Sequence, residues 1–166
     1  MSLKNNIKKI QIPSLRKTFL GLFFILFAFT VSGQTSYIKK YRPLADSLSE
    51  HYGIPASVIL GIAILESGSG TSRNSKLLNN HFGIVGKNNL QKTKGIKSRY
   101  KQFKHVRDSY VAFCKIQTRR NFYLKLKGNK DYNLWIDAMS KSNYSEVPDI
   151  WKSRVTAIIK QNKLAR

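Results

Sequence analysis

The stretch GIPASVILGIAILESGSGTS, Gly53 to Ser72, decides the fold. Pro55 opens it. From Ala56 to Leu65 only Ser57 and Gly61 interrupt its apolar character. An eleven-residue helix is about 16 Å long. One that is apolar on every side and this short belongs in the middle of a soluble core. The run stops on Glu66, and Gly68 and Gly70 supply the turn after it. The chain has eight acidic residues against thirty Lys and Arg, so a carboxylate at the rim of its greasiest segment calls for an explanation. At that rim Glu66 is partly desolvated, which raises a carboxyl pKa, and a raised pKa is what a general acid needs near neutral pH. Nearby cations push the other way, but exposed ones are screened beyond about 8 Å. On physics alone, a solvated residue in the cap region is the more common role for a Glu that ends a helix.

Outward from this segment the pattern is mainly helical. Tyr37, Ile38, Tyr41, Leu44, Ala45 and Leu48 recur at helical spacing. Pro43 interrupts that series, so the helix is expected to begin there and to end at Gly53. A helix is expected from Asp108 to about Arg119, another over Asp131–Ser140, and a last one from Pro148 carrying Ile150, Trp151, Val155, Ile158 and Ile159. Trp135 and Trp151 are read as core. From Ser67 to Arg107 there is no acid and there are ten Lys and Arg. That stretch reads as loops with a short hairpin around Asn88–Phe103, Lys97–Phe103 being one strand. The single cysteine, Cys114, cannot form an internal disulfide and is read as a buried thiol.

The N-terminus is a different kind of sequence. Lys4, Lys8, Lys9, Arg16 and Lys17 form a basic leader, thirteen apolar residues run from Phe19 to Val31, and Ser32 and Gly33 are small. This is a secretory signal pattern, expected to be cleaved after Gly33. Thirteen residues fall short of the roughly 20 a spanning helix needs, so no stable membrane span is expected after cleavage; an uncleaved signal-anchor is the alternative. The expected domains are a signal peptide, 1–33, and a single domain, 34–166. Five leader cations leave with the signal, and +22 becomes +17. Such a charge favours a polyanionic partner. Nucleic acid is not expected, because no helix-turn-helix, zinc-finger or RNP signature is present. His51, His81 and His105 lack metal-ligand spacing, so neither a metal nor a cofactor is expected.

The strings GIPASVILGIAILESGSGTS and LLNNHFGIVGK together resemble the glucosaminidase domains of glycoside hydrolase family 73. The matching pieces are Gly53–Ser57, Glu66–Ser72 and Asn79–Ile84. More loosely, YKQFKHVRDSYVAF (Tyr100–Phe113) resembles the family's aromatic strand leading into a helix, and SNYSEVPDIWKSRVTAII its closing tyrosine-bearing segment. The resemblance spans about 41–163. It implies a lysozyme-like α+β domain, mainly α with a small loop or β-hairpin insertion. It also implies a peptidoglycan hydrolase that cuts the β-1,4 glycan backbone as an endo-β-N-acetylglucosaminidase; with the signal pattern it is expected to be exported, periplasmic or extracellular, and it is expected to be a monomer. The expected partners are peptidoglycan glycan strands, from the resemblance, and anionic wall polymers, from the charge.

By the same resemblance Glu66 is the general acid and Tyr144 the second catalytic residue. Ser67, Gly68, Gly70, Asn79, Asn80, His81, Phe82 and Tyr100 are the substrate-binding candidates. Glycines let a backbone approach a sugar closely, and Asn amides suit hydroxyl and acetamido groups. Simple turn roles for the two Asn, a plain loop role for His81 and a core role for Phe82 stay open.

One departure bears on mechanism. Most glycosidases flank the bond with two carboxylates, and many family members carry the second on the hairpin, where this chain has Lys94, Lys97 and Lys101. Asp108 is expected to cap a helix; Glu146 and Asp149 are the other acids nearby. Three mechanisms are open: attack by the substrate's own acetamido oxygen, a lytic-transglycosylase or muramidase-type cleavage by the same Glu, and a second acid supplied from the tail. A catalytically inactive wall-binding module is the non-enzyme alternative.

Overall fold

The computed structural model describes the backbone of residues 15–142 and 144–165, and the side chains of residues 33–142 and 144–165. The expected signal segment lies, but for Gly33, outside the residues whose side chains are described. Among the described residues no helix is long and apolar enough to cross a membrane. The chain divides into two units, Met1–Ser32 and Gly33–Arg166; the hydrophobic core belongs to the second.

Among the described residues eight helices run in order: α1 Leu15–Tyr52, α2 Ala56–Ser67, α3 Arg73–Leu78, α4 Leu90–Lys94, α5 Val106–Gln117, α6 Tyr123–Leu126, α7 Tyr132–Ser140 and α8 Pro148–Gln161. The architecture is mainly α, as the periodicity predicts. Helix α2 is the central element, with every residue from Ser57 to Ile64 buried. Its all-round apolarity is satisfied because α7 and α8 pack on it and on each other. A β-carbon at Gly61 would lie 2.7 Å from Ile159 Cγ1. The absent side chain is therefore what lets α8 come so close.

Two expectations are corrected. The first helix does not begin at Pro43; Pro43 lies inside α1. A mid-helix proline loses one backbone hydrogen bond and crowds the preceding turn. The turns before it are held from outside, by Tyr37 on the His81 ring (centroids 5.6 Å) and Tyr41 on Tyr110 (5.5 Å). The second correction concerns the basic insertion, where Asn88–Phe103 is not a hairpin. The one bridge found there among the described residues pairs Val85 with Tyr100, and α4 occupies the tip. Asparagine amides replace the ladder. Asn80 Nδ2 donates to the carbonyls of Ile84 and Lys101 (2.8 Å each), and its Oδ1 accepts from the backbone of Phe82 and Ile84. Asn88 Nδ2 donates to the carbonyls of Ser98 and Tyr100. Asn79 Nδ2 donates to those of Phe103 and Lys104.

The other expected helices, α5, α7 and α8, form within a residue or two, while the short helices α3 and α6 stand where no helix is expected. Asp131 Oδ1 caps α7 by accepting from Asn133 N, and Pro148 stands at the first turn of α8. Trp135 is fully buried. Cys114 is buried too, and burial pushes its thiol up to about 12. It stays a thiol at neutral pH, where only a thiolate would act as nucleophile.

Candidate active site

Helix α2 delivers Glu66 to the edge of the core. The helix ends there because Gly68 adopts the left-handed conformation (φ 55°) and its N–H caps Ile64 O. Glu66 is half-buried. Its carboxyl is raised above the usual range, chiefly by desolvation, and pulled back in part by the indole of Trp151, whose Nε1–H donates to Oε1 at 3.0 Å. The expected contest between desolvation and the surrounding cations is thus won by desolvation. Trp151 is only 5% exposed and belongs to the core, so the carboxylate is tied to α8 from its apolar side.

Glu66 opens on a groove of about 420 Å³. One bank is Phe82 to Val85, joined by Arg99 and Tyr100 from across the single bridge. Phe113, Ile116 and Gln117 of α5, with Arg120 beyond it, form the other, and Tyr144 completes the lining. Phe82 is both wall and core: it is buried, and its ring stacks on Phe113 at 4.4 Å. A β-carbon at Gly83 would stand 3.9 Å from Glu66 Oε2 and 3.8 Å from a ring carbon of Tyr100. Oε2, the oxygen that Trp151 leaves free, therefore faces the bank that carries Tyr100. Tyr144 packs its ring on Trp151 (4.9 Å) and edge-on to Phe113 (6.4 Å). Its phenol is held well above the usual value, first by desolvation and then by the charge of Glu66. It stays a neutral O–H that can donate.

Of the ten sequence candidates, the groove gathers Glu66, Phe82, Tyr100 and Tyr144. The rest are placed elsewhere and occupied. Ser67 is fully buried, donating to Ala63 O and accepting from Gly70 N. Gly68 makes the helix cap. Gly70 (φ 79°) lies under Tyr37, where a β-carbon would be 3.1 Å from the ring. Asn79 and Asn80 spend their amides on backbone carbonyls of the insertion. His81 is 3% exposed; Tyr37 Oη lies 2.6 Å from its Nδ1 and Tyr110 Oη 2.7 Å from Tyr37 Oη. Desolvation, with Lys40 second, lowers His81 to about 4, so it is neutral at pH 7. These six build the frame around the groove and do not line it.

Sequence reasoning missed Gly83, Arg99, Gln117, Arg120 and the tie from Trp151. One signal did point to Trp151. A buried indole N–H needs an acceptor, and this chain has few acids to offer. The candidate second acids are not in the groove. Asp108 Oδ2 accepts from His105 N at 3.0 Å, closing the N-terminus of α5. Glu146 and Asp149 are exposed and absent from the lining.

Several solved structures share this fold. The catalytic domain of the autolysin Auto from Listeria monocytogenes superposes with a TM-score of 0.66 at 20% identity, covering 94% of this chain and 98% of that one. The glycoside hydrolase domain of FlgJ from Salmonella typhimurium gives 0.62 at 20%, covering 78% and 88%. A peptidoglycan hydrolase from Sphingomonas sp. A1 gives 0.61 at 19%, covering 78% and 89%. No curated protein matches the chain in sequence. The glucosaminidase family, described as mannosyl-glycoprotein endo-beta-N-acetylglucosaminidase, matches residues 42–164. That span holds Glu66 and every residue of the groove it opens on, and the chain belongs to this family of glycoside hydrolases.

Proposed function

We propose that the chain is an exported peptidoglycan hydrolase that cuts the β-1,4 glycan backbone as an endo-β-N-acetylglucosaminidase, with Glu66 as general acid. One observation carries the reading: a half-buried carboxyl of raised pKa, fixed through one oxygen by Trp151, is the only acid among the described residues that line the groove. The polymer is supported by two of the solved domains of this fold, an autolysin and a peptidoglycan hydrolase. The leader pattern and the +17 charge of residues 34–166 support export towards an anionic wall.

The indole N–H on Oε1 leaves Oε2 to carry the proton. Oε2–H protonates the leaving glycosidic oxygen as the bond to the anomeric carbon breaks. With no second carboxylate among the described lining residues, the electrons come from the substrate: its 2-acetamido carbonyl oxygen attacks the same carbon, a known exception to the two-acid scheme. The Glu66 carboxylate then takes a proton from water, which opens the cyclic intermediate. The Tyr144 hydroxyl donates to the acetamido or ring oxygen beside the reacting centre.

The test is digestion of purified peptidoglycan with mass spectrometry of the products. The proposal expects reducing N-acetylglucosamine ends, loss of turnover by at least about 10³-fold in Glu66→Gln, comparable to losing one catalytic group, and most activity kept in Asp108→Asn. Anhydro-muramic ends would replace the glucosaminidase reading with a transglycosylase. Binding without any product would make the chain a wall-binding module.

A further inference from the structure

Gln117 is the last residue of α5 and lines the same groove as Glu66. It is 1% exposed, and neither its Nε2 nor its Oε1 has a hydrogen-bond partner among the described residues. No other buried side chain among those residues is left in that state. Its backbone is not the reason, since its carbonyl accepts from Arg120 N at 3.0 Å. A buried amide without partners is destabilising, because it gives up its hydrogen bonds to water and gains none in the fold. Packing alone would be served as well by Leu or Met, of similar volume and no side-chain N–H or carbonyl. Folded proteins leave few such groups, and each calls for a reason.

The neighbouring walls suggest what that reason is. Phe82, Phe113 and Ile116, all apolar, line the same groove as Gln117. A ligand group that suits both is a short one with a carbonyl, an N–H and a methyl, which describes an acetamido group. We infer that Gln117 is a specificity-determining residue that recognises a sugar acetamido group: its Nε2–H donates to the acetamido carbonyl, its Oε1 accepts from an adjacent hydroxyl or N–H, and the methyl lies on the Phe113–Ile116 wall. The inference rests on the groove being a glycan site. The amide is covered in the free protein, and the three side-chain torsions of a glutamine let it swing to meet the ligand. A neutral amide matches a neutral acetamido group. The cations that share the groove, Arg99 and Arg120, suit carboxylates instead.

The probe is a set of soluble glycan fragments from peptidoglycan, used native, de-N-acetylated and chemically re-acetylated. Binding is read by calorimetry in a Glu66→Gln background that prevents turnover, and cleavage is read separately in the unmodified protein. Gln117→Leu is expected to keep or raise the melting temperature, because it removes two unpaired buried groups. It should bind native and re-acetylated fragments at least about tenfold more weakly, the loss of roughly one hydrogen bond to a neutral group, and leave binding of the de-N-acetylated fragment unchanged. Gln117→Met is the second variant should leucine disturb the fold. Native-like affinity of both variants for native fragments, or equal losses on acetylated and de-acetylated ones, would overturn the inference. If the unmodified protein binds fragments but releases no products, the hydrolase reading falls while the binding comparison still decides on Gln117. If it binds none of them, both fall.

Discussion

The chemistry at Glu66 depends on how one carboxyl balances two opposing influences. Desolvation raises its pKa, and the Trp151 N–H, which favours the charged form, lowers it. The indole also selects which oxygen is free, so the same contact tunes and aims the acid. Trp151→Phe separates the two roles. Removing the donor lets desolvation act unopposed, so the carboxyl titrates higher. Because the acid must be protonated in the free enzyme, the alkaline limb of kcat/KM is expected to move to higher pH. The maximal rate should fall about tenfold, since the carboxyl loses its fixed orientation and small misplacements are expensive in rate. A pH–rate profile on solubilised peptidoglycan measures both. An alkaline limb that stays put, or moves down, would mean that Trp151 does not act on the titrating group.

Among the elements, α2 is where sequence and structure agree most closely. Its apolar run dictates burial, and burial is what it shows on every face. The helices α5, α7 and α8 are equally legible, because their apolar spacing, Asp108, Asp131 and Pro148 all point the same way. The insertion is not. Its carbonyls are satisfied by the side chains of Asn79, Asn80 and Asn88, and nothing in a string of asparagines tells which will reach across twenty residues. The same ambiguity hides the site. Asn80 and His81 carry groups suited to sugar and are spent on the frame, while Gln117, which in sequence is one more position on a helix, is left unpaired at the groove. Glu66, Tyr100 and Tyr144 are legible because the motifs they sit in match the family. Gly61 gives the element-level prediction. Alanine is a better helix former than glycine by about 1 kcal/mol, so a gain would be expected on an exposed helix. Here its β-carbon would sit 2.7 Å from Ile159 Cγ1, a branch of a buried side chain and not a free end. Overpacking of about 1–3 kcal/mol outweighs the propensity gain. Gly61→Ala should therefore lower the melting temperature by several degrees, and pairing it with Ile159→Val should recover part of the loss. An unchanged or raised melting temperature would show that α2 and α8 are not locked together at this point.

The molecule as a whole carries a large positive charge and few internal ion pairs. Arg42–Asp46 and the pairs of Asp137 with Lys141 and Lys152 are those found among the described residues. Its response to pH is governed less by these surface pairs than by two groups of opposite sign. Glu66 has a raised folded pKa, so its contribution to stability is full at acid pH and is lost as pH rises through that value. His81 is the reverse: its folded pKa is depressed from 6.5 to about 4. Above 6.5 both folded and unfolded chains hold it neutral and its contribution is complete. As pH falls towards 4 the unfolded chain takes up the proton first, and the contribution drains away. A shift of this size corresponds to about 3 kcal/mol, a large part of the stability of an ordinary domain. The loss is not local. His81 Nδ1 shares a hydrogen bond with Tyr37 Oη of α1, which shares another with Tyr110 Oη of α5. A charged imidazole carries an N–H on both nitrogens and can only donate, so Tyr37 Oη must then accept from it and the relay has one arrangement left. Urea unfolding followed from about pH 7 to pH 4 should show wild-type stability falling by about 2–3 kcal/mol more than that of His81→Gln, whose amide cannot charge. Parallel curves for the two proteins would place the acid sensitivity of this fold somewhere other than the Tyr37–His81–Tyr110 relay.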